Sequence, residues 1–379
     1  MRDAVIVEAV RTPIGKRNGG LASVHPADLS AQVLIALTQR SGIDPAIVDD
    51  VIWGCVNQVG EQTFDLARTA ALSAGWPESV PGTTVDRQCG SSQQAVHFAA
   101  AGVIAGHYDM VVAGGVESMT RVPMGSTMIA NPLGQRYIER YGVEFPNQGI
   151  GAEEIADRWG LSRAQLDEFS LESHEKAARA TDEGRFQDQI VPVPTVEGLI
   201  SIDEGIRRGS TVTKLATLAP AFRPDGCITA ANSSQISDGA AALLITSSEN
   251  AERLGLRPLA RIHTAVLAAL SPMPMLHAPM PATEKALAKS GLQLTDIGAF
   301  EVNEAFASVP LAWLKDIGAD PALLNPLGGA IALGHPLGGS GARLMTTLVH
   351  HMRDENIRYG LQTMCEGGGQ ANATILELL

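Results

Sequence analysis

The sequence has little positive charge, few cysteines, few aromatics and no long apolar run, and most of these shortages remove a class of protein. Lys and Arg number 28 against 41 Asp and Glu, a net charge of −13. That balance argues against nucleic acid or an anionic membrane as the main partner. An anionic small ligand stays open, because backbone N–H groups at helix N-termini can hold one without a basic surface. The four cysteines, Cys55, Cys89, Cys227 and Cys365, are far apart and form no C-x-x-C pair. A disulfide framework or a zinc site is therefore not expected, and no metal is assigned. No stretch of about 18 apolar residues exists, so no membrane span is expected. The opening Met1-Arg2-Asp3-Ala4-Val5-Ile6-Val7 reads as a short strand rather than a signal peptide. The closing Leu376-Glu377-Leu378-Leu379 is not a peroxisomal Ser-Lys-Leu address. A cytoplasmic location is the resulting expectation. Aromatics make up 4% of the chain, whereas glycine supplies 39 residues, which implies many tight turns and close backbone approaches.

The chain has 379 residues, 45% hydrophobic and 18% charged, as in a globular protein of two or three packed units. Val5–Glu8 and Asp50–Trp53 read as short strands. Pro26–Arg40 reads as a helix with Leu29, Val33, Leu34 and Leu37 on one stripe. Thr83–Asp86 is β-rich and runs into Arg87-Gln88-Cys89-Gly90-Ser91-Ser92. The segment Ala95–Ala105 is apolar almost all round, which predicts a buried helix. Tyr108–Ala113 returns as a strand that stops at Gly114-Gly115. The C-terminal part repeats the plan. Pro326–Leu333 leads into His335-Pro336-Leu337-Gly338-Gly339-Ser340-Gly341, a helix covers Ala342 to about Met352, and Tyr359–Cys365 is a strand ending at Gly367-Gly368-Gly369. Turn, helix, strand and glycine run occur twice, which suggests a duplicated α/β unit. Residues 120–235 break the pattern with prolines, charges and polar amphipathic helices such as Arg163–Ala180, and read as an inserted subdomain carrying ligand contacts.

Four places carry candidate chemistry. Cys89 stands at a strand-to-helix junction, where the positive helix end lowers a thiol pKa and favours thiolate. The turn is equally compatible with a buried filler. His335 precedes a helix among many glycines and is either a base for a thiol or a structural turn residue. Cys365 before a glycine run is either a second proton-handling thiol or a plain buried cysteine. Asn303-Glu304 is a polar pair in apolar surroundings, and a helix N-cap is its ordinary reading.

Taken together, Arg87-Gln88-Cys89-Gly90-Ser91, Asn303-Glu304-Ala305-Phe306, Gly334-His335-Pro336 and Cys365-Glu366-Gly367-Gly368-Gly369 resemble the thiolase family in order and spacing. Val10-Arg11-Thr12-Pro13-Ile14-Gly15, Gly114-Gly115-Val116-Glu117-Ser118-Met119 and Thr229-Ala230-Ala231-Asn232-Ser233-Ser234 with Asp238-Gly239-Ala240 extend the likeness over nearly the whole chain. The resemblance implies an α/β fold of two related halves in five layers, αβαβα, with an inserted loop domain. It implies residues 1–119 with 236–256 as the first half, 120–235 as the insertion and 257–379 as the second half. It further implies ping-pong chemistry on a 3-ketoacyl-CoA, with coenzyme A as co-substrate and no permanently bound cofactor. Cys89 would carry the acyl group, His335 would act as base and Cys365 would protonate the leaving acetyl-CoA carbanion. His335 and a water held by Asn303 would serve one oxyanion, and the backbone N–H groups of Cys89 and Gly367 the other. Ser234 would touch the pantetheine and Arg207 the nucleotide. A homodimer through the N-terminal half, or a homotetramer, follows from the same likeness.

Two departures bear on substrate. Short-chain acetoacetyl-CoA thiolases carry His-Met-Gly before a helix in the insertion, and this chain has Asn147-Gln148-Gly149. That favours a degradative 3-ketoacyl-CoA thiolase over an enzyme condensing two acetyl-CoA. The segments around Cys89 and Cys365 look like actinobacterial degradative thiolases, some of which act on steroid side chains. Glu366 replaces the apolar residue common there. Strand alternation would turn it from Cys365; pointing inward, it would oppose a Cys365 thiolate. A ketoacyl synthase, which uses one Cys and two His, is disfavoured by Cys365. A silent acyl-CoA-binding relative is disfavoured by the intact Cys89, Asn303, His335 and Cys365.

Overall fold

The computed structural model describes residues 2–142 and 146–379, so Met1 and three residues of the insertion lie outside it. The strands are β1 (Val5–Arg11), β2 (Gly15–Lys16), β3 (Asp50–Gly54), β4 (Gly82–Val85), β5 (Met110–Ser118), β6 (Val193–Thr195), β7 (Gly198–Ile200), β8 (Ser237–Thr246), β9 (Ala260–Ala269), β10 (Ala299–Val302), β11 (Tyr359–Glu366) and β12 (Gln370–Leu378). All but the β6–β7 hairpin join one sheet path, β10-β11-β12-β9-β1-β8-β5-β3-β4, with β2 beside β8. In the middle of that path, β1 and β9 pair through two residue pairs, Val5 with Arg261 and Ile6 with Ala260.

Either side of that seam the topology repeats. In the first half β3 lies parallel between β4 and β5, β5 is antiparallel to β8, and β8 to β1. In the second, β10 is parallel to β11, β11 antiparallel to β12, and β12 to β9. The position that β4 takes in the first half is held by a single parallel bridge from Phe300 to Leu324.

Alternation along these strands sends side chains to two faces, which sets the layers. In β8, Leu243 and Ile245 face the helices Ser91–Ala105 and Ser340–Glu355 at the centre. Ala242 and Leu244 face the outer helices Pro26–Ser41 and Leu66–Ser73. The second half covers its outer face with Pro279–Ser290 and Ser308–Ile317. Outer helices, sheet, central helices, sheet and outer helices make five layers. Among the described residues no helix is long and apolar enough to cross a membrane.

Two sequence expectations need adjusting. The strand expected to stop at Gly114-Gly115 continues to Ser118. The glycines are there because backbones crowd them: a Cβ on Gly115 would overlap Gly338 O and lie 2.6 Å from Gly54 O. The central helix Ser91–Ala105 is largely buried, yet Phe98 and Ile104 remain exposed.

Candidate functional site

Each reactive side chain sits at the end of a repeated element. Cys89 occupies the tight turn between β4 and the central helix. Gln88 takes a left-handed φ of 49° there, and Gly90 N donates to Arg87 O at 3.1 Å. Ser91 clamps the turn, its hydroxyl donating to Gln88 O at 2.6 Å and accepting from Arg87 N at 2.9 Å. His335 holds the corresponding place in the second half, before the helix Ser340–Glu355. Its N–H donates to Ser237 Oγ at 3.0 Å. Cys365 ends β11, opposite Ala371.

Cys89, His335, Cys365, Gly367 and Ser234 line one cavity of roughly 180 Å³. Its walls are apolar: Met119 and Met124 from the segment after β5, Phe222 and Ile236 from the approach to β8, and Leu276 and Phe306. Phe222 and Phe306 meet edge to face, with centroids 5.8 Å apart. Asn303 reaches the site through His335, its Nδ2 lying 3.4 Å from His335 Nε2. Asn303 Oδ1 is buried without a partner. The N-cap expectation for Asn303 does not hold, because the next helix begins at Ser308 and is capped by Ala307. Glu304 turns the other way and ties three segments together, accepting from Ser173 Oγ at 2.7 Å, Asn325 Nδ2 at 2.8 Å and Ile331 N at 3.1 Å. Arg207 is exposed and away from the cavity; its backbone N–H donates to His174 Nδ1 at 3.1 Å.

The hydrogen bonds assign the His335 tautomer. Ser340 Oγ spends its only proton on Pro336 O at 2.8 Å, so it accepts from His335 Nδ1 at 2.6 Å. With Nδ1 protonated, Nε2 carries the lone pair and faces the cavity side, toward Asn303. Burial first, and then the Arg343 charge, lower the His335 pKa to about 3, so the ring is neutral at physiological pH.

Both thiols are protonated in the resting site. Cys89 is pushed up to about 12 by desolvation and then by Glu366, with Glu117 and Asp86 adding to it. The thiolate expected from the helix end is therefore not the resting form: burial outweighs the dipole. Desolvation and the neighbouring Cys89 hold Cys365 well above the ordinary thiol value. Glu366 follows the alternation of β11 and points away from Cys365, against Gly90.

Sequence reasoning missed Ser340 and the apolar walls; Gln148, read there as a departure bearing on substrate, lines the same cavity. Ser340 was visible as a hydroxyl five residues after His335, but nothing local showed that its proton was committed to Pro336.

Residues 4–249 match the model for the thiolase N-terminal domain and residues 256–378 that for the thiolase C-terminal domain. The steroid 3-ketoacyl-CoA thiolase FadA6 of Mycobacterium tuberculosis is 50% identical, across all of this chain and 95% of its own length. The 3-ketoacyl-CoA thiolase of Pseudoalteromonas translucida is 45% identical over all of this chain and 99% of its own. That of Bacillus subtilis is 41% identical over the whole of both.

Proposed function

Because this chain belongs to the thiolase family, we propose that it is a degradative 3-ketoacyl-CoA thiolase whose acyl carrier is Cys89. The observation that carries this reading is the meeting of two thiols and a neutral imidazole around one apolar cavity. Cys89 Sγ attacks the keto carbon while His335 Nε2 takes its proton. A thiol with a raised pKa needs its base at the moment of attack, and the Ser340 bond keeps Nε2 ready for it. Charge on the keto oxygen falls to the backbone N–H groups of Cys89 and Gly367. The bond between the α- and keto carbons breaks. The leaving electron pair is stabilised as the enolate of acetyl-CoA by His335 and a water on Asn303, whose buried Oδ1 lacks a partner. Cys365 protonates the carbon. Free CoA then takes the acyl group from Cys89.

Ser234, on the cavity wall, is the pantetheine contact in this reading, and exposed Arg207 is the contact for the nucleotide phosphates. The repeated sheet order supports the division into 1–119 with 236–256, 120–235 and 257–379. Asn147 and Gln148 in place of His and Met, with an apolar cavity, favour longer or bulkier acyl groups over acetoacetyl-CoA. The names of the relatives point the same way, to 3-ketoacyl-CoA substrates and in one case a steroid one. A homodimer or homotetramer in the cytoplasm completes the reading. The exposed Phe64, held at a left-handed φ of 60°, is the kind of side chain a subunit contact covers.

The test is chemical. After incubation with a 3-ketoacyl-CoA and no free CoA, the peptide containing Cys89 gains the mass of the shortened acyl group, and added CoA removes it. A folded, CoA-binding protein with no such adduct would refute the reading. A thiolysis panel across chain length and ring-bearing acyl groups reads the substrate, and a marked preference for acetoacetyl-CoA would refute the degradative assignment.

A further inference from the structure

The hairpin after Cys365 carries a carboxyl group that the reaction above does not use. Glu366 is fully buried, and neither of its oxygens has a hydrogen-bond partner. Its Oε1 occupies the space a side chain on residue 90 would fill, so a Cβ on Gly90 would overlap it. Gly90 directly follows Cys89, and the carboxyl therefore rests on the backbone that presents the nucleophile. Among the described residues no side chain hydrogen-bonds Glu366, and the Arg87 charge and the Asn372 backbone N–H are what favour its ionised form. Asn372 Nδ2, from the partner strand, donates to Gly90 O at 3.3 Å, and Asn372 Oδ1 is itself unpartnered. Arg87 turns its Nη1 to Gln370 Oε1 at 2.9 Å, and its Nε is buried without a partner among the described residues. A buried carboxylate without a side-chain hydrogen bond is disfavoured, whereas a carboxylic acid carries its own donor.

We propose that Glu366 sets the reactivity of Cys89 through a single proton: as a neutral acid it leaves the thiol free to ionise, and as a carboxylate it opposes the nucleophile. The proposal rests on Cys89 being the acyl carrier.

The charged groups around it fit this role. Burial raises the Glu366 pKa to about 8, with Arg87 pulling it down and Asp86 pushing it up from the loop before the central helix. From that helix His97 faces the same layer, neutral because burial lowers it to about 3. Cys89 in turn feels Glu366 more than either Glu117 or Asp86. Glu366 is neutral below its pKa, so the nucleophile is unhindered there. As pH rises through about 8 the proton leaves to solvent, and the new charge adds to the burial that raises the Cys89 pKa.

Alkylation of Cys89 by iodoacetamide, read by peptide mass from about pH 6 to about pH 10, tests this directly. In the unaltered protein the rate levels off for about one pH unit across the Glu366 transition and then resumes its rise at a lower level. In Glu366→Gln it keeps rising, and at alkaline pH it exceeds the unaltered protein by about tenfold, the effect of one pKa unit. The alkaline fall in kcat/KM for thiolysis moves up in the same variant. Glu366→Ile, which restores the apolar residue common in the family, carries the comparison if the Gln variant fails to fold. Superimposable pH profiles in a folded variant would overturn the proposal. In that case an acyl adduct on Cys89 would leave the thiolase reading standing, whereas no adduct on the unaltered protein would remove both.

Discussion

His335 works as a base only in one tautomer, and a single hydroxyl decides which. Ser340 passes its proton to Pro336 and accepts from Nδ1, leaving Nε2 bare. Replacing Ser340 by Ala removes the acceptor and lets the proton move to Nε2. The expected result is a kcat lowered by roughly tenfold to a hundredfold with little change in KM, part of the usual worth of general base catalysis. Steady-state thiolysis checks it, and Ser340→Thr, which keeps the hydroxyl, should recover most of the rate. A parallel loss in Cys and Ala variants with KM rising instead would point to a packing role. The same scale explains why the cysteine looked ambiguous as sequence: the helix end argues for thiolate, and the burial that overrides it comes from residues far along the chain.

At the scale of elements, the site depends on how closely two glycine-rich segments approach. Gly115 in β5 lies against the backbone of Gly338 in the His335 loop, and any Cβ there forces the two apart. Glu117, two residues on, anchors the same contact by accepting from Gly338 N at 2.9 Å and from Val56 N at 2.9 Å. Gly115→Ala is expected to destabilise the fold by about 1–3 kcal/mol, the cost of overpacking a tight core. Because the His335 loop moves with it, thiolysis should fall as well. Denaturant unfolding and the rate measured on the folded fraction separate the two effects. The strand was expected to end at these glycines because glycine is a poor strand former on its own. The close approach that requires them involves a loop more than two hundred residues away in sequence.

Across the whole molecule, the insertion is fastened to the scaffold by a buried ion pair. Arg11, at the end of β1, holds Asp203 through two bonds of 2.7 and 2.8 Å, with side chains 0% and 1% exposed. Asp203 also accepts from Ile14 N at 2.8 Å, and Arg11 Nε donates to Gln189 Oε1 at 2.8 Å. Removing one partner leaves a buried charge alone, so Asp203→Ala should cost about 3–5 kcal/mol. Replacing both, as Arg11→Met with Asp203→Leu, should cost clearly less than the sum of the single changes. Chemical denaturation of the single and double variants measures the difference. Equal, additive losses would show that the pair does not act as a unit.

Composition, alternation and the order of turns, helices and strands pointed to the α/β class and a duplicated unit, and only the resemblance to the thiolase family joined Cys89, Asn303, His335 and Cys365 into a set. These rest on local patterns: period-two strands, an apolar helix, and reactive residues placed in turns before helices or at strand ends. The tertiary structure decided what local patterns cannot carry. It brought three of those side chains to one cavity, put Asn303 behind His335 rather than on a helix cap, and left Arg207 outside. It turned Glu366 from Cys365 onto Gly90 and left both its oxygens unpaired. Charge state was the last thing to become visible, because a pKa depends on burial and on neighbours that only folding brings together.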